Sequence, residues 1–432
     1  MSLPDLIEIV PLDKPVHAEM TVPGSKSITN RALILAALAE GEVTLEGALW
    51  SEDTQIMVDC LQELGFMVDV KADPDEVCNR TITVYGKGGA VPSGGTEGQP
   101  LELFVGNAGT AARFLAAFVC LGKGVYRLDG VPRMHERPQA GLFTALRELG
   151  YQVDSANDNL PALIHGGGLR PGAACRVSIG ESSQFASALI LCGKHNQWTV
   201  QVTGDNAEES PYVTMTAEMA GAFPQTGTFH VDPDASSASY IWGADWLLSR
   251  SGSGTSGSRI APAVEKWFHE AWQIDAQFAR YVGKFPVRLS RVRDLGDSIM
   301  TAIVLAPFVP HSTKFEDLTR LRAQECERVA ALRTELTRCG ARVVEEGDTL
   351  TVYPSTLHGA EIETYNDHRM AMCFAILGLK VPGIRIKNPG CVKKTFPNFF
   401  QKLAAPPPRG LGAAILDAKT GRKLGNDKLF AV

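Results

Sequence analysis

A chain of 432 residues is long enough for two or three domains with sizeable cores, and 44% hydrophobic with 21% charged residues is ordinary for a globular protein. The net charge of −6 excludes a general attraction to nucleic acid or to an anionic membrane, so an anionic ligand must be held by a local basic cluster. Nine cysteines without a Cys-x-x-Cys pair argue against a zinc site or a disulfide framework, and neither a leader-like N-terminus nor a membrane-length apolar run is present. The expected setting is reducing and cytoplasmic.

The first signal in chain order is Val22-Pro23-Gly24-Ser25-Lys26-Ser27-Ile28-Thr29-Asn30-Arg31, followed by an apolar run to Leu38. The Pro-Gly pair breaks structure and the run predicts a helix over Arg31–Ala39, which puts the serines and Lys26 near its N-terminus. Free N–H groups and the helix dipole favour an anion there, with Lys26 and Arg31 adding full charge. A Ser/Thr-capped helix with solvated basic residues explains the same stretch equally well. The G-x-x-x-x-G-K-[ST] spacing of a nucleotide loop is absent.

A strand over Glu42–Glu46 and a helix ending Leu64-Gly65-Phe66 follow, then strands over Met67–Lys71 and Arg80–Tyr85. The order recurs: helix Thr110–Leu121, strand Val125–Leu128, a helix ending Leu149-Gly150-Tyr151, strands Gln152–Asp154 and Ala162–His165. A third copy has helix Gln184–Leu191, strand Trp198–Thr203 and a helix through Tyr212–Met219. Helices Ser298–Ala306 and Gln324–Arg338, strands Ala341–Glu345 and Thr349–Tyr353, helix Met370–Leu377, strand Ile384–Lys387 and a helix around Phe396–Leu403 repeat it less regularly. Such alternation predicts repeated α/β subdomains. Ser249–Arg259 has linker composition, Ala261–Arg293 carries Trp267, Phe268, Trp272 and Phe278 and is expected to fold, and residues 404–432 form a tail too short for its own core.

Several turns could carry chemistry. Gly106-Asn107-Ala108-Gly109 joins a strand to a helix and permits close backbone approach, or merely makes a turn. Arg133 and Arg137 lie between Pro132 and Pro138 in a stiffened loop suited to a carboxylate or phosphate, or simply solvated. Ser182-Ser183-Gln184 opens a helix as a phosphate site or a cap, and Asp367-His368-Arg369 precedes another as acid, base and anion ligand or as a buried hydrogen-bonded group. Asp297 and Glu325 sit at or near helix starts, and Lys393-Lys394 adds a basic turn. Five or six helix starts thus carry Lys, Arg, Ser or Asn, an arrangement suited to joining two anionic small molecules with proton transfer by carboxylate or lysine.

The ordered motifs Pro-Gly-Ser-Lys-Ser…Asn-Arg, Gly-Asn-Ala-Gly-Thr-Ala…Arg, Pro-Arg-Met…Glu-Arg-Pro, Ser-Ser-Gln-Phe, Asp-Ala-Ser-Ser-Ala-Ser-Tyr, Tyr-Asn-Asp-His-Arg-Met-Ala-Met and Lys-Thr-Phe-Pro are specific. Through them the chain resembles the 5-enolpyruvylshikimate-3-phosphate (EPSP) synthase family up to about Leu403. The resemblance implies an α/β fold of two inside-out domains, each of three β-α-β-α-β-β repeats around buried helices, closing on ligand at a hinge. The implied domains are residues 25–232 and, discontinuously, 1–24 with 233–403. It implies enolpyruvyl transfer from phosphoenolpyruvate to shikimate 3-phosphate through a tetrahedral intermediate, with no metal or organic cofactor, in a cytoplasmic monomer with glyphosate as inhibitor.

Position by position, the resemblance implies Lys26, Ser27, Arg31, Ser182, Ser183, Gln184, Tyr212, Asp297 and Gln324 around shikimate 3-phosphate. It implies Lys26, Asn107, Gly109, Arg133, Gln184, Arg328, Arg369 and Lys394 around phosphoenolpyruvate. Asp297 would take the acceptor's proton, Glu325 would serve the methylene carbon, and Lys26 would assist the leaving phosphate or that same proton. Four positions depart from the pattern: Gln324 replaces a lysine, Arg320 an asparagine, Glu209 a serine and Phe114 a proline. They imply an active enzyme with weakened phosphate binding and an altered pocket behind Gly109. The related UDP-N-acetylglucosamine enolpyruvyl transferases share the fold, but the Ser-Ser-Gln and Pro-Arg-Met motifs favour shikimate; a non-catalytic anion binder, for which Gln324 speaks best, is the other rival.

Overall fold

The computed structural model describes residues 3–204, 210–249, 258–262 and 272–431. The chain divides into two compact units, residues 24–232 and residues 1–23 with 233–432. Glu209, Trp267, Phe268 and most of the Gly/Ser-rich stretch lie outside the described residues.

Four sheets share one strand pattern, a parallel pair followed by two antiparallel neighbours. In unit 24–232 the orders are Gly227–His230, Glu42–Leu49, Asn79–Tyr85, Val68–Ala72 and Leu101–Phe104, Lys123–Asp129, Ala162–Gly167, Gln152–Asp154. In the other unit they are Arg288–Ser290, Thr313–Glu316, Thr349–Val352, Val343–Glu346 and Glu361–Ile362, Ile384–Lys387, Leu6–Ile9, Ile415–Asp417. Each unit adds a two-stranded parallel sheet, Ala174–Ser178 with Thr199–Thr203, and Arg259–Pro262 with His17–Met20. Among the described residues the third copy of unit 24–232 therefore has a parallel pair without the two antiparallel strands. The glycine endings behave as the sequence predicts: Gly65 and Gly150 have φ of 87° and 88° and close their helices ahead of Phe66 and Tyr151.

Three helices are buried almost all round in unit 24–232: Lys26–Leu38, Gly109–Phe118 and Ser183–Asn196. Apolar residues on every face, such as Ala32, Leu33, Ile34 and Ala36, leave no solvent stripe, which is the pattern of a helix enclosed by sheets. The first helix begins at Lys26, five residues before the predicted start, so Lys26 and Ser27 belong to its opening turn. Ala235–Ser249, Ile299–Leu305 and His368–Gly378 are the counterparts in the other unit, tied by Ser239 Oγ to Thr301 Oγ1 at 2.8 Å and Thr301 Oγ1 to Cys373 Sγ at 3.6 Å.

Residues 404–432, without a role from sequence, complete the core of their unit. Ile415–Asp417 pairs with Leu6–Ile9, and Leu411, Ala413, Ile415 and Leu429 are buried. Each of the leucines and Ile415 contributes about 1.5–3 kcal/mol by burial. Trp272 and Phe278 are buried, so the part of Ala261–Arg293 from residue 272 onward is folded as expected.

Candidate active site

Residues 24–232 build a cationic cluster on the N-terminal turns of their three buried helices, none of which carries an acidic residue in its first turn. Gly24 makes the entry possible: a Cβ there would lie 2.0 Å from the carbonyl oxygen of Gly47. Asn79 Oδ1 accepts from its N–H at 2.8 Å, and the next residue, Ser25, donates from N to the Asp232 carbonyl at 2.8 Å. Ser25 caps with backbone only, and Lys26 follows, its ammonium 3.1 Å from Asp53, a buried carboxylate that the sequence reading did not single out.

Arg31 is 2% exposed. It donates from Nε to Thr216 Oγ1 at 2.7 Å, from one terminal nitrogen to the Ser27 carbonyl at 2.9 Å and from the other to Ser187 Oγ at 3.0 Å. Its guanidinium also lies 5.2 Å from the Phe114 ring centroid, so one side chain touches all three helices and the departure at Phe114 supplies a cation–π surface. Burial without a carboxylate partner among the described residues lowers its pKa to about 10, still fully charged at neutral pH.

A second group gathers at Gly109. A Cβ on Gly109 would meet Arg113 at 2.5 Å and Arg137 at 2.6 Å, so only glycine lets two guanidinium groups approach this helix start. Arg137 donates to the Asn107 carbonyl at 3.1 Å, and Arg113 to the carbonyls of Gly109 and Pro138 and to Gln184 Oε1 at 3.1 Å. Gln184 Nε2 completes the bridge to Thr110 Oγ1 at 3.0 Å. Ser182 caps its helix through Gln184 N at 3.2 Å beside the buried Ser183, and the Tyr212 carbonyl accepts from Thr216 at 2.6 Å. Arg133, half-buried, donates to Glu136 at 2.5 Å, while the guanidinium atoms nearest Gly109 belong to Arg113 and Arg137. Arg113 and Arg137, which the Gly-Asn-Ala-Gly-Thr-Ala…Arg and Pro-Arg-Met…Glu-Arg-Pro motifs contain, thus gather at Gly109.

The other unit builds a charge-balanced cluster. Helix Arg328–Arg338 starts four residues later than predicted, because Glu327 caps Ala330 N at 2.6 Å and Arg322 holds the preceding turn to Glu327 and Glu345 at 2.8 and 2.7 Å. Gln324 and Glu325 therefore lie in the turn ahead of the helix. Arg328, 1% exposed, binds Asp367 at 2.7 Å and Glu325 at 2.7 Å and lies 3.9 Å from Asp297; it also donates to Gln324 Oε1. Lys394 stands 3.2 Å from the second oxygen of Glu325. Arg369 reaches Asp297 at 3.2 Å and Tyr240 Oη at 3.4 Å, while Arg291 donates to Asp297 at 2.6 Å.

Burial alone would raise the Asp297 pKa, but the three arginines reverse this and hold the carboxyl well below the usual carboxylate range. Burial likewise would lower Arg328 and Arg369; the carboxylates around them hold both above the ordinary arginine value. Asp367 orients the group: it accepts from Arg369 N at 2.8 Å as helix cap, and the two residues before it, Tyr365 and Asn366, adopt φ of 53° and 55°.

The profile of the family described as EPSP synthase (3-phosphoshikimate 1-carboxyvinyltransferase) matches residues 11–250 and 264–403. The chain belongs to the EPSP synthase family. Among its curated relatives is a 3-phosphoshikimate 1-carboxyvinyltransferase of Trichormus variabilis, 36% identical over 92% of this chain and 98% of the relative. One of Opitutus terrae is 36% identical over 94% and 98%. The solved EPSP synthase of Acinetobacter baumannii superposes with a TM-score of 0.65 at 21% identity, covering 95% of this chain and 99% of that one. The enolpyruvyl transferase NikO of Streptomyces tendae gives 0.63 at 16% identity, covering 98% and 99%. The fold of this EPSP synthase family member is thus the two-domain enolpyruvyl transferase α/β fold. No helix among the described residues is long and apolar enough to cross a membrane.

Proposed function

We propose that this chain transfers the enolpyruvyl group of phosphoenolpyruvate to the 5-hydroxyl of shikimate 3-phosphate, releasing phosphate, in the shikimate pathway of aromatic amino-acid biosynthesis. The observation that carries the reading is 36% identity over 92% of the chain to relatives named for this reaction. The retention of Asp297 and Glu325 inside an arginine and lysine cluster supports it.

In the proposed reaction the 5-hydroxyl adds to C2 of phosphoenolpyruvate, Asp297 accepts the hydroxyl proton, and Glu325 protonates the methylene carbon to give the tetrahedral intermediate. The C2–O bond to phosphate then breaks, Glu325 recovers a methyl proton, and Lys26 supports the departing phosphate. Shikimate 3-phosphate engages Lys26, Ser27, Arg31, Ser182, Ser183, Gln184, Tyr212, Asp297 and Gln324. Phosphoenolpyruvate engages Lys26, Asn107, Gly109, Arg133, Gln184, Arg328, Arg369 and Lys394, with Arg113 and Arg137 close beside Gly109. A carboxylate clamped by three arginines is a weak base, and an anion drawing on Arg328 and Arg369 weakens that clamp. Binding of phosphoenolpyruvate therefore arms Asp297.

The same reading makes the protein a cytoplasmic monomer that needs no metal or organic cofactor and is inhibited by glyphosate at the phosphoenolpyruvate groups, with Phe114 altering the support of Gly109. Phosphate release from phosphoenolpyruvate, measured with shikimate 3-phosphate and with UDP-N-acetylglucosamine in wild type and Asp297→Ala, tests it. Release with shikimate 3-phosphate alone, lost in the variant, is the expected result. Release only with the nucleotide sugar, or with neither acceptor, overturns it.

A further inference from the structure

Asp275 is a buried carboxylate that the reaction as written does not use. It lies on the short turn Ile274–Gln277, bonded to one neighbour of Asp297 and close to the other. Its Oδ1 accepts from Ser298 N at 2.5 Å. Its Oδ2 would be 2.8 Å from a Cβ placed on Gly296, whose φ is 53°. The Gly296–Ser298 turn is thus held at Ser298 and leaves no room for a side chain at Gly296, and Ser298 Oγ, bonded to the Leu295 carbonyl at 2.6 Å, tightens it. The grip is itself anchored: Gln273 donates to the Pro233 carbonyl at 2.8 Å and accepts from Ala235 N at 2.9 Å, docking this segment on the start of helix Ala235–Ser249.

We infer that Asp275 is a positioning residue for Asp297: its carboxylate fixes the turn that presents the proton acceptor, and its negative charge opposes the arginines that clamp that acceptor. The inference rests on the role proposed above for Asp297. The charged groups acting on Asp275 are Asp297 from the 296–298 turn, Arg369 from helix His368–Gly378 and Asp234 ahead of helix Ala235–Ser249. Burial first, then repulsion from Asp297, raises its pKa to about 6, so its charge appears across the working pH range. Ionisation of Asp275 weakens the arginine field at Asp297 and makes Asp297 the better base.

The test compares Asp275→Asn, which keeps an oxygen for Ser298 N and removes the charge, with Asp275→Ala, which removes both. Turnover of the full chain with phosphoenolpyruvate and shikimate 3-phosphate is followed across about pH 5 to 9, with thermal unfolding recorded alongside. Asp275→Ala should lose about a hundredfold in kcat, because a displaced reacting group costs that much. Asp275→Asn should lose about threefold to tenfold in kcat and lack the rise in rate that wild type shows as pH passes through the Asp275 ionisation. Wild-type pH profiles in Asp275→Asn, or wild-type kcat in a folded Asp275→Ala, overturn the inference. If Asp275→Ala does not fold, the Asp275→Asn profile decides. Asp297→Asn separates the two layers: if it retains wild-type turnover, the reading of Asp297 fails, whereas its inactivity beside unaffected Asp275 variants sinks this inference alone.

Discussion

Arg31 and Arg328 are both almost fully enclosed guanidinium groups, 2% and 1% exposed, and they are held in opposite ways. Arg31 spends its donors on two hydroxyls and a backbone carbonyl, none of them charged. Arg328 is wrapped by Asp367, Glu325 and Asp297. The pKa values move accordingly, downward for Arg31, where burial outweighs the opposing effect of Tyr212, and upward for Arg328, where carboxylates overcome burial. The contrast separates two uses of arginine. An uncompensated buried cation keeps its potential for an anion yet to arrive, whereas the arginines of the compensated cluster hold the Asp297 carboxylate ionised. On the proposed reaction, residues 24–232 supply a receptor and the other unit supplies the groups that move protons.

The sharpest way to break that division is Asp297→Asn, which should lower kcat by about a thousandfold while shikimate 3-phosphate binding, read by calorimetry, stays within about tenfold. Retained turnover would end the assignment of proton transfer to this cluster. Stability should divide the two arginines next. Arg328→Leu leaves Asp367 buried without its cation and Glu325 with Lys394 alone, and should cost about 3–5 kcal/mol in urea unfolding. Arg31→Met strands no carboxylate and leaves Thr216 and Ser187 hydrogen-bonded to each other at 2.9 Å. It should cost about 1 kcal/mol at most, yet weaken shikimate 3-phosphate binding about tenfold or more. Equal stability losses would erase the contrast.

A smaller effect is expected from pH. Because the folded pKa of Asp275 is raised to about 6, its contribution is most favourable below the unfolded value and declines as pH rises through that figure. Asp275→Asn should therefore be more stable than wild type at alkaline pH by about 1–3 kcal/mol and equal to it in acid, measured by urea unfolding at both ends. The smallest effect on stability is expected from Arg133→Ala, which should change urea unfolding by less than about 1 kcal/mol, since exposed ion pairs contribute little, while it raises the KM for phosphoenolpyruvate. An unchanged KM for phosphoenolpyruvate would remove Arg133 from the proposed shell.

Most of the buried helices were legible because uninterrupted apolar runs bounded by glycine or proline have few alternatives. Strands such as Leu6–Ile9, Ala174–Ser178 and Ile415–Asp417 were not, since two to five residues of mixed polarity become strands only when a partner edge accepts them. The start of helix Arg328–Arg338 was misplaced because Gln324, Glu325 and Glu327 are all good helix formers, and only the Glu327 cap and the Arg322 bridges end the turn before them. At the site, the motif residues around Gly24, Gly109, Ser182 and Asp367 stood out. Asp53 and Asp275 did not, because a single charged residue has no pattern until its partner is known.

The sequence by itself determined the α/β alternation, the anionic character of the ligands and, through its ordered motifs, the family. These depend on local period, charge type and residue identity, which the chain carries in one dimension. Tertiary structure alone decided which arginine faces Gly109, that Arg31 has hydroxyls for company where Arg328 has carboxylates, and that Asp275 grips the turn bearing Asp297. Burial and long-range pairing set those outcomes, and neither is written in the spacing of neighbouring residues.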